Sequence, residues 1–160
     1  KKILYMAISI NGRITGADGD TDWVEEADIE RMDALMEECG VMVMGSRTYQ
    51  SFGDDLPVNT ALQVVFTNNQ DLLNKVQKNV RFTSEDPKKI LQDLHNEGFT
   101  NILIAGGGKL NTSLLMEDLI DGILINTLYF FLSVAFCKSN SSYVGLFSNS
   151  VILYYLYNSL

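Results

Sequence analysis

Ile102-Leu103-Ile104-Ala105-Gly106-Gly107-Gly108-Lys109-Leu110-Asn111 is the stretch that decides the fold. A short apolar strand runs into three glycines and then into a helix. A helix that opens directly after glycine presents unfilled backbone N–H groups and the positive end of its dipole. Such an end suits a phosphate group. A second junction of the same kind stands upstream, Val41-Met42-Val43-Met44-Gly45-Ser46-Arg47-Thr48-Tyr49. Each junction carries a cation, Arg47 in one and Lys109 in the other, so the pair suits a ligand with several phosphates, such as a dinucleotide. Three consecutive glycines are costly in backbone entropy, which close approach of a ligand to the backbone explains; a plain strand–helix turn is the alternative. The G-x-G-x-x-G fingerprint does not fit, because Asn111 stands where its last glycine is required.

Working outward from these junctions, strands and helices alternate. Residues 2–10 are apolar at nearly every position and predict a buried strand. Residues 11–22 form a polar loop rich in Gly and Asp. In 24–39 the apolar residues Val24, Ala27, Met32, Leu35, Met36 and Cys39 recur at helical spacing. Strands at 41–44, 62–67, 79–83, 101–105 and 121–130 follow, with helices from 46, over 70–78, from Asp86-Pro87 to Gly98, and over 109–119. The alternation predicts an α/β fold with a largely parallel sheet covered on both faces. Ligands in such sheets gather at the carboxyl ends of the strands, where both glycine junctions lie.

With 160 residues and a formal charge of −8, the chain is expected to be one domain and not a nucleic-acid or acidic-membrane binder. One histidine and two cysteines, Cys39 and Cys137, build no Cys/His metal cluster, and no metal is expected. The opening Lys-Lys runs straight into a strand with no signal peptide, and both cysteines sit in apolar surroundings, so the expected location is cytoplasmic. Beyond Asp121 only Lys138 carries a charge. The apolar run 123–136 has about 14 residues, short of the roughly 20 that span a bilayer, so a membrane role is not expected.

Several residues invite a chemical reading. Asp18, Asp20 and Asp22 alternate like the start of a calcium loop, but Trp23 and Ile29 occupy the required glycine and glutamate positions, so that reading fails. Asn11-Gly12 suits either a ligand-facing loop or a hairpin turn. Asp28 shares a helical stripe with Met32, Leu35 and Cys39, just after Trp23. A carboxylate on an apolar face has its proton affinity raised by desolvation and suits a proton donor; an acid favoured by the dipole at a helix start is the alternative. His95 falls on a charged helix and reads as solvent-facing.

Taken together, the stretches Ala7-Ile8-Ser9-Ile10-Asn11-Gly12-Arg13-Ile14, Asp22-Trp23-Val24, Met44-Gly45-Ser46-Arg47-Thr48-Tyr49-Gln50-Ser51-Phe52-Gly53 and Ile104 to Leu115 resemble the dihydrofolate-reductase-like superfamily. The resemblance is closer to the reductase domain of bacterial riboflavin biosynthesis and its stand-alone relatives. It implies a three-layer sandwich with a central, mostly parallel sheet flanked by helices, over residues 1–132. It implies an NADPH-dependent reductase of the 5-amino-6-(5-phosphoribosylamino)uracil reductase or dihydrofolate reductase type, acting by hydride transfer on a small heterocyclic or sugar-linked substrate, and a homodimer. NADH is not excluded, because Thr67-Asn68-Asn69 lacks the arginine expected beside a 2′-phosphate. The cofactor residues implied are Ala7, Ile14, Gly45, Ser46, Arg47, Thr48, Thr67, Gly106, Gly107, Gly108, Lys109 and Leu110; those toward the substrate are Asn11, Trp23, Asp28, Met32 and Phe52. Asn59 stands where folate enzymes place an arginine after Leu56-Pro57, which argues against folate. Residues 133–160 match nothing in the pattern and fit a frameshifted or decayed terminus, which leaves a catalytically impaired nucleotide-binding protein as the alternative function.

Overall fold

The structure, a computed structural model, describes residues 1–16, 19, 21, 23–52, 60–128 and the short strand 153–156. The elements run β1 (Lys2–Ser9), α1 (Glu26–Cys39), β2 (Val41–Gly45), α2 (Ser46–Phe52), β3 (Leu62–Phe66), α3 (Gln70–Leu73), β4 (Val80–Thr83), α4 (Pro87–Asn96), β5 (Ile102–Gly106), α5 (Gly108–Met116), β6 (Gly122–Leu128) and β7 (Leu153–Leu156). The sheet order is β4-β3-β2-β5-β1-β6-β7. Its first six strands are parallel, and β7 pairs antiparallel with β6. This is the α/β architecture the sequence predicts.

Apolar runs become strands because both faces of the sheet are covered. Val41, Met42, Val43 and Met44 are all fully buried, which leaves no polar side to alternate with. On one face Val41 and Val43 pack with Leu4, Ile104 and the buried sides of α4 and α5, among them Leu94 and Leu114. On the other, Met42 and Met44 pack with Tyr5, Leu103, Met36 of α1 and Tyr49 of α2. Fully burying a side chain of this size contributes roughly 1.5–3 kcal/mol, so the two layers hold the carboxyl ends of β2 and β5 rigidly side by side.

Helix ends follow local chemistry. Asp86 accepts from the backbone N–H of Lys88 and Lys89 and starts α4, with Pro87 in its first turn. Gly40 ends α1 at φ 70, a left-handed conformation open to glycine. Two helices are shorter than their apolar spacing predicts. α3 stops at Leu73, because Val76 is almost wholly exposed and gives the next turn nothing to pack against. α5 stops at Met116, where Asp118 turns left-handed at φ 54 and Leu119 N–H bonds back to the Leu114 carbonyl. Asn11-Gly12 makes a tight turn, with Gly12 N–H on the Ser9 carbonyl and Ser9 N–H on the Arg13 carbonyl, both at 2.8 Å. Ala27 is exposed, so the buried stripe of α1 is carried by Asp28, Met36 and Cys39.

Among the described residues no helix is long and apolar enough to cross a membrane. The expectations for Asp18, Asp20, Asp22, Asn59, Cys137 and most of residues 133–160 lie outside the described residues.

Candidate active site

The carboxyl ends of β5, β2, β3 and β4 open into one cleft of about 590 Å³. Gly45, Ser46, Arg47 and Thr48 line it from the β2–α2 junction, and Gly107, Gly108, Lys109 and Leu110 from the β5–α5 junction. The junctions are in contact. A methyl group placed on Gly45 would stand 3.8 Å from the Gly106 carbonyl oxygen and from the Gly107 nitrogen. One on Gly107 would stand 3.2 Å from Thr48 Oγ1, tighter than ordinary contact. Gly106 lies at φ 92, in the left-handed region that favours glycine, and a methyl group there would meet the Asn111 amide at 3.3 Å. The Gly106–Gly107 peptide bond is cis.

The register explains why the two junctions are level. β2 and β5 pair Met42 with Leu103 and Val43 with Ile104, then slip by one so that Met44 faces Gly106. The helices differ in how they are closed. Asn69 and Asp86 cap α3 and α4 with their side chains. Gly107 caps α5 with none, so the first N–H groups of α5 stand open at the cleft wall. Arg47 and Lys109 are exposed at the same wall. Open N–H groups, a dipole end and two cations are what a diphosphate requires, and the glycine walls leave room for its approach.

Of the expected cofactor residues, Gly45 to Thr48, Thr67 and Gly107 to Leu110 line this cleft. Gly106 is buried within the turn, and Ile14 reaches to 3.8 Å from the Cβ position of Gly108. Ala7 lies one strand further along, paired with Asn126 across β1 and β6.

Asp28 lies outside that cleft, on the α1 face of β1 and β6, and is only 5% exposed. The stripe that carries it is not wholly apolar, since two strand residues supply donors. Tyr5 donates its hydroxyl to Asp28 Oδ1 at 2.5 Å. Asn126 donates its amide to the same oxygen. Asn126 Oδ1 is itself buried and without a hydrogen-bond partner among the described residues. Burial above all, and then the bond to Asp28, push the Tyr5 phenol well above its ordinary value. Met32 and Phe52 pack half-buried against the core on this face. Trp23 is half-buried just ahead of α1. Asn11 is exposed and accepts from Ser9 Oγ at 2.6 Å. His95 is exposed on α4.

Sequence reasoning placed Thr67-Asn68-Asn69 beside the coenzyme but missed Tyr5, Asn126 and the rest of the far lip of the cleft, formed by Phe66, Thr83, Ser84, Glu85 and Pro87. The signal for Asn126 was a lone amide near the carboxyl end of an apolar strand, which must find a partner once buried. The lip follows from the same strand-end rule that placed the glycines, extended to β3 and β4.

The family model for the RibD C-terminal domain matches residues 1–128. This chain belongs to the RibD C-terminal domain family. The uncharacterized protein YwjB of Bacillus subtilis (strain 168) is 29% identical to it over 134 residues, spanning 80% of this chain and 76% of YwjB. A crystal structure from Shewanella sp. PV-4, of a protein named for riboflavin biosynthesis, superposes with a TM-score of 0.65 at 28% identity, over 82% of this chain and 78% of that one. Dihydrofolate reductase from Enterococcus faecalis, complexed with NADP(H) and RAB-propyl, gives the same TM-score of 0.65 at 16% identity, over 82% and 73% of the two chains. That last likeness shows the shared fold. The RibD C-terminal domain here is therefore a dihydrofolate-reductase-like sheet of six parallel strands, in a family of reductase type.

Proposed function

We propose that this RibD C-terminal domain is an oxidoreductase that reduces a small heterocyclic or sugar-linked acceptor, in the manner of 5-amino-6-(5-phosphoribosylamino)uracil reductase, with a nicotinamide dinucleotide, NADPH or NADH, as hydride source. The observation that carries the reading is the meeting of two glycine junctions in one cleft, beside an α5 N-terminus that no side chain caps. A nicotinamide dinucleotide is further supported by the NADP(H) held by the Enterococcus faecalis enzyme of the same fold.

In this reading Arg47, Thr48 and the first N–H groups of α5 hold the phosphates, and Ile14 with Gly108 meets the nicotinamide end. The nucleotide, when bound, supplies the hydride. The chain supplies position and the exclusion of water, which is most of what such a reaction asks of a protein. Asp28, held by Tyr5 and Asn126, offers a fixed carboxylate that accepts from a ring N–H of the substrate.

Fluorescence titration with NADPH tests the anchoring. Arg47→Ala removes a charge-assisted contact of roughly 1.5–3 kcal/mol, so affinity should fall about tenfold to a hundredfold. The melting temperature should hardly move, since Arg47 is exposed. Unaltered binding would reject the role. Oxidation of NADPH with pyrimidine or pterin acceptors then separates a working reductase from a nucleotide-binding protein without turnover.

A further inference from the structure

The two ends of the cleft differ in charge. From β5 to β4 it crosses three strand spacings, about 14 Å in all. At the β5–β2 end stand the glycines with Arg47 and Lys109. At the β3–β4 end the lining side chains are Thr67, Asn68, Asn69, Thr83, Ser84 and Glu85, and the only charge among them is negative. This is the end farthest from Ile14, and therefore the adenosine end of a dinucleotide whose phosphates lie on α5.

Both strand ends are pinned at that lip. Thr67 Oγ1 accepts from Asn69 N–H and Thr83 Oγ1 from Glu85 N–H, each at 3.1 Å. Both threonines are buried. The Asn69 side chain is engaged in capping α3, whereas Glu85 is exposed at the lip. Lys89 bonds its carboxylate from the next turn of α4. Of that pair, Glu85 and not Lys89 is among the residues that line the cleft.

We propose that Glu85 sets the coenzyme choice: its carboxylate accepts hydrogen bonds from the ribose diol of NADH and repels the 2′-phosphate of NADPH, so the chain binds NADH at least as tightly as NADPH. A carboxylate on the ribose hydroxyls is the chemistry that distinguishes the two coenzymes in other dinucleotide sites. At about 5 Å in a solvent-exposed lip, a doubly charged phosphate beside one carboxylate loses at most on the order of tenfold in affinity, and less while Lys89 stays paired with that carboxylate. The inference rests on the dinucleotide reading of the cleft and goes beyond it, since that reading holds for either coenzyme.

Isothermal titration calorimetry on the full chain, with NADH and NADPH at one ionic strength, tests it. NADH should bind at least as tightly as NADPH. Glu85→Gln should move the ratio of affinities toward NADPH by up to about tenfold, since it removes the carboxylate and releases its paired Lys89 toward the phosphate. The pair ADP and 2′,5′-ADP should repeat the shift, because it probes the adenosine end alone. Tighter binding of NADPH by the unaltered chain, or a ratio that Glu85→Gln leaves in place, overturns the role of Glu85 and leaves the dinucleotide reading standing. Failure of both coenzymes to bind overturns the two together.

Discussion

Tyr5→Phe deletes one oxygen from a buried polar cluster. The Tyr5 ring is 4% exposed and its partner Asp28 5%. The bond between them is 2.5 Å long. A hydrogen bond to a carboxylate contributes roughly 1.5–3 kcal/mol, and Asn126 continues to donate to the same oxygen, so a loss near 2 kcal/mol is expected. With a urea dependence of about 1–3 kcal/mol per molar, the unfolding midpoint should fall by about 1 M. Asp28→Leu should also destabilise, by leaving the Tyr5 hydroxyl and the Asn126 amide buried without their acceptor, at about 1–3 kcal/mol. The double variant is decisive. With Tyr5→Phe and Asp28→Leu combined, hydroxyl and carboxylate go together, and the cost should fall short of the sum by at least about 1 kcal/mol. The fluorescence of Trp23, the single tryptophan, reports the transition from just ahead of α1. Costs that add to within about 0.5 kcal/mol would refute the claim that these side chains act as one unit.

The same phenol gives a pH dependence. Its folded-state affinity for the proton is raised above the ordinary value of 10.0 by burial first and by Asp28 second. The stability it contributes is therefore fully present below about pH 10 and is lost as pH rises beyond it, and urea midpoints on either side of that value should show a fall that Tyr5→Phe flattens. Gly106→Ala and Gly107→Ala should separate fold from site. The first forces a side chain to φ 92 against Asn111 and should cost about 1–3 kcal/mol, a drop of several degrees in melting temperature. The second meets only Thr48 Oγ1, so it should cost less than about 1 kcal/mol while weakening nucleotide binding about tenfold. Calorimetric melting and coenzyme titration of the pair check both, and equal melting losses with intact binding would reduce the glycines to a turn.

The strands were legible because a sheet covered on both faces needs continuous apolar runs, and Val41 to Met44 or Ile102 to Ile104 admit no other use. Helix starts were legible where a side chain marks them, as Asp86-Pro87 does for α4. Helix ends were less so, because spacing alone kept α3 and α5 running past Leu73 and Met116, where exposed Val76 and the left-handed Asp118 stop them. The glycine half of the cleft could be read from Gly45 and Gly106 to Gly108, whose cost in backbone entropy demands a reason. The acidic lip could not, since Glu85 reads as one more charge ahead of a helix until the strand order puts β4 beside β3. Tyr5 and Asn126 were hidden for a related reason. Each sits within an apolar strand, and only the pairing of β1 with β6 brings them to one carboxylate on α1.

The slip between β2 and β5 bears on how this chain tolerates change. Ala105 is the residue passed over when Met44 comes opposite Gly106. The glycine turn thus meets the β2–α2 junction because of how many residues β5 contains, and less because of which they are. Conservative exchanges among Ile102, Leu103 and Ile104 leave that count intact. Removal of a residue from Ile102 to Ile104, with the bulge at Ala105 kept, would retract the turn by one rise, about 3.3 Å, and uncouple Gly107 from Thr48 with every side chain of the cleft still encoded. In this protein the geometry of the site is written in the length of a strand, so insertions and deletions ahead of Ala105 act on it without touching a cleft side chain.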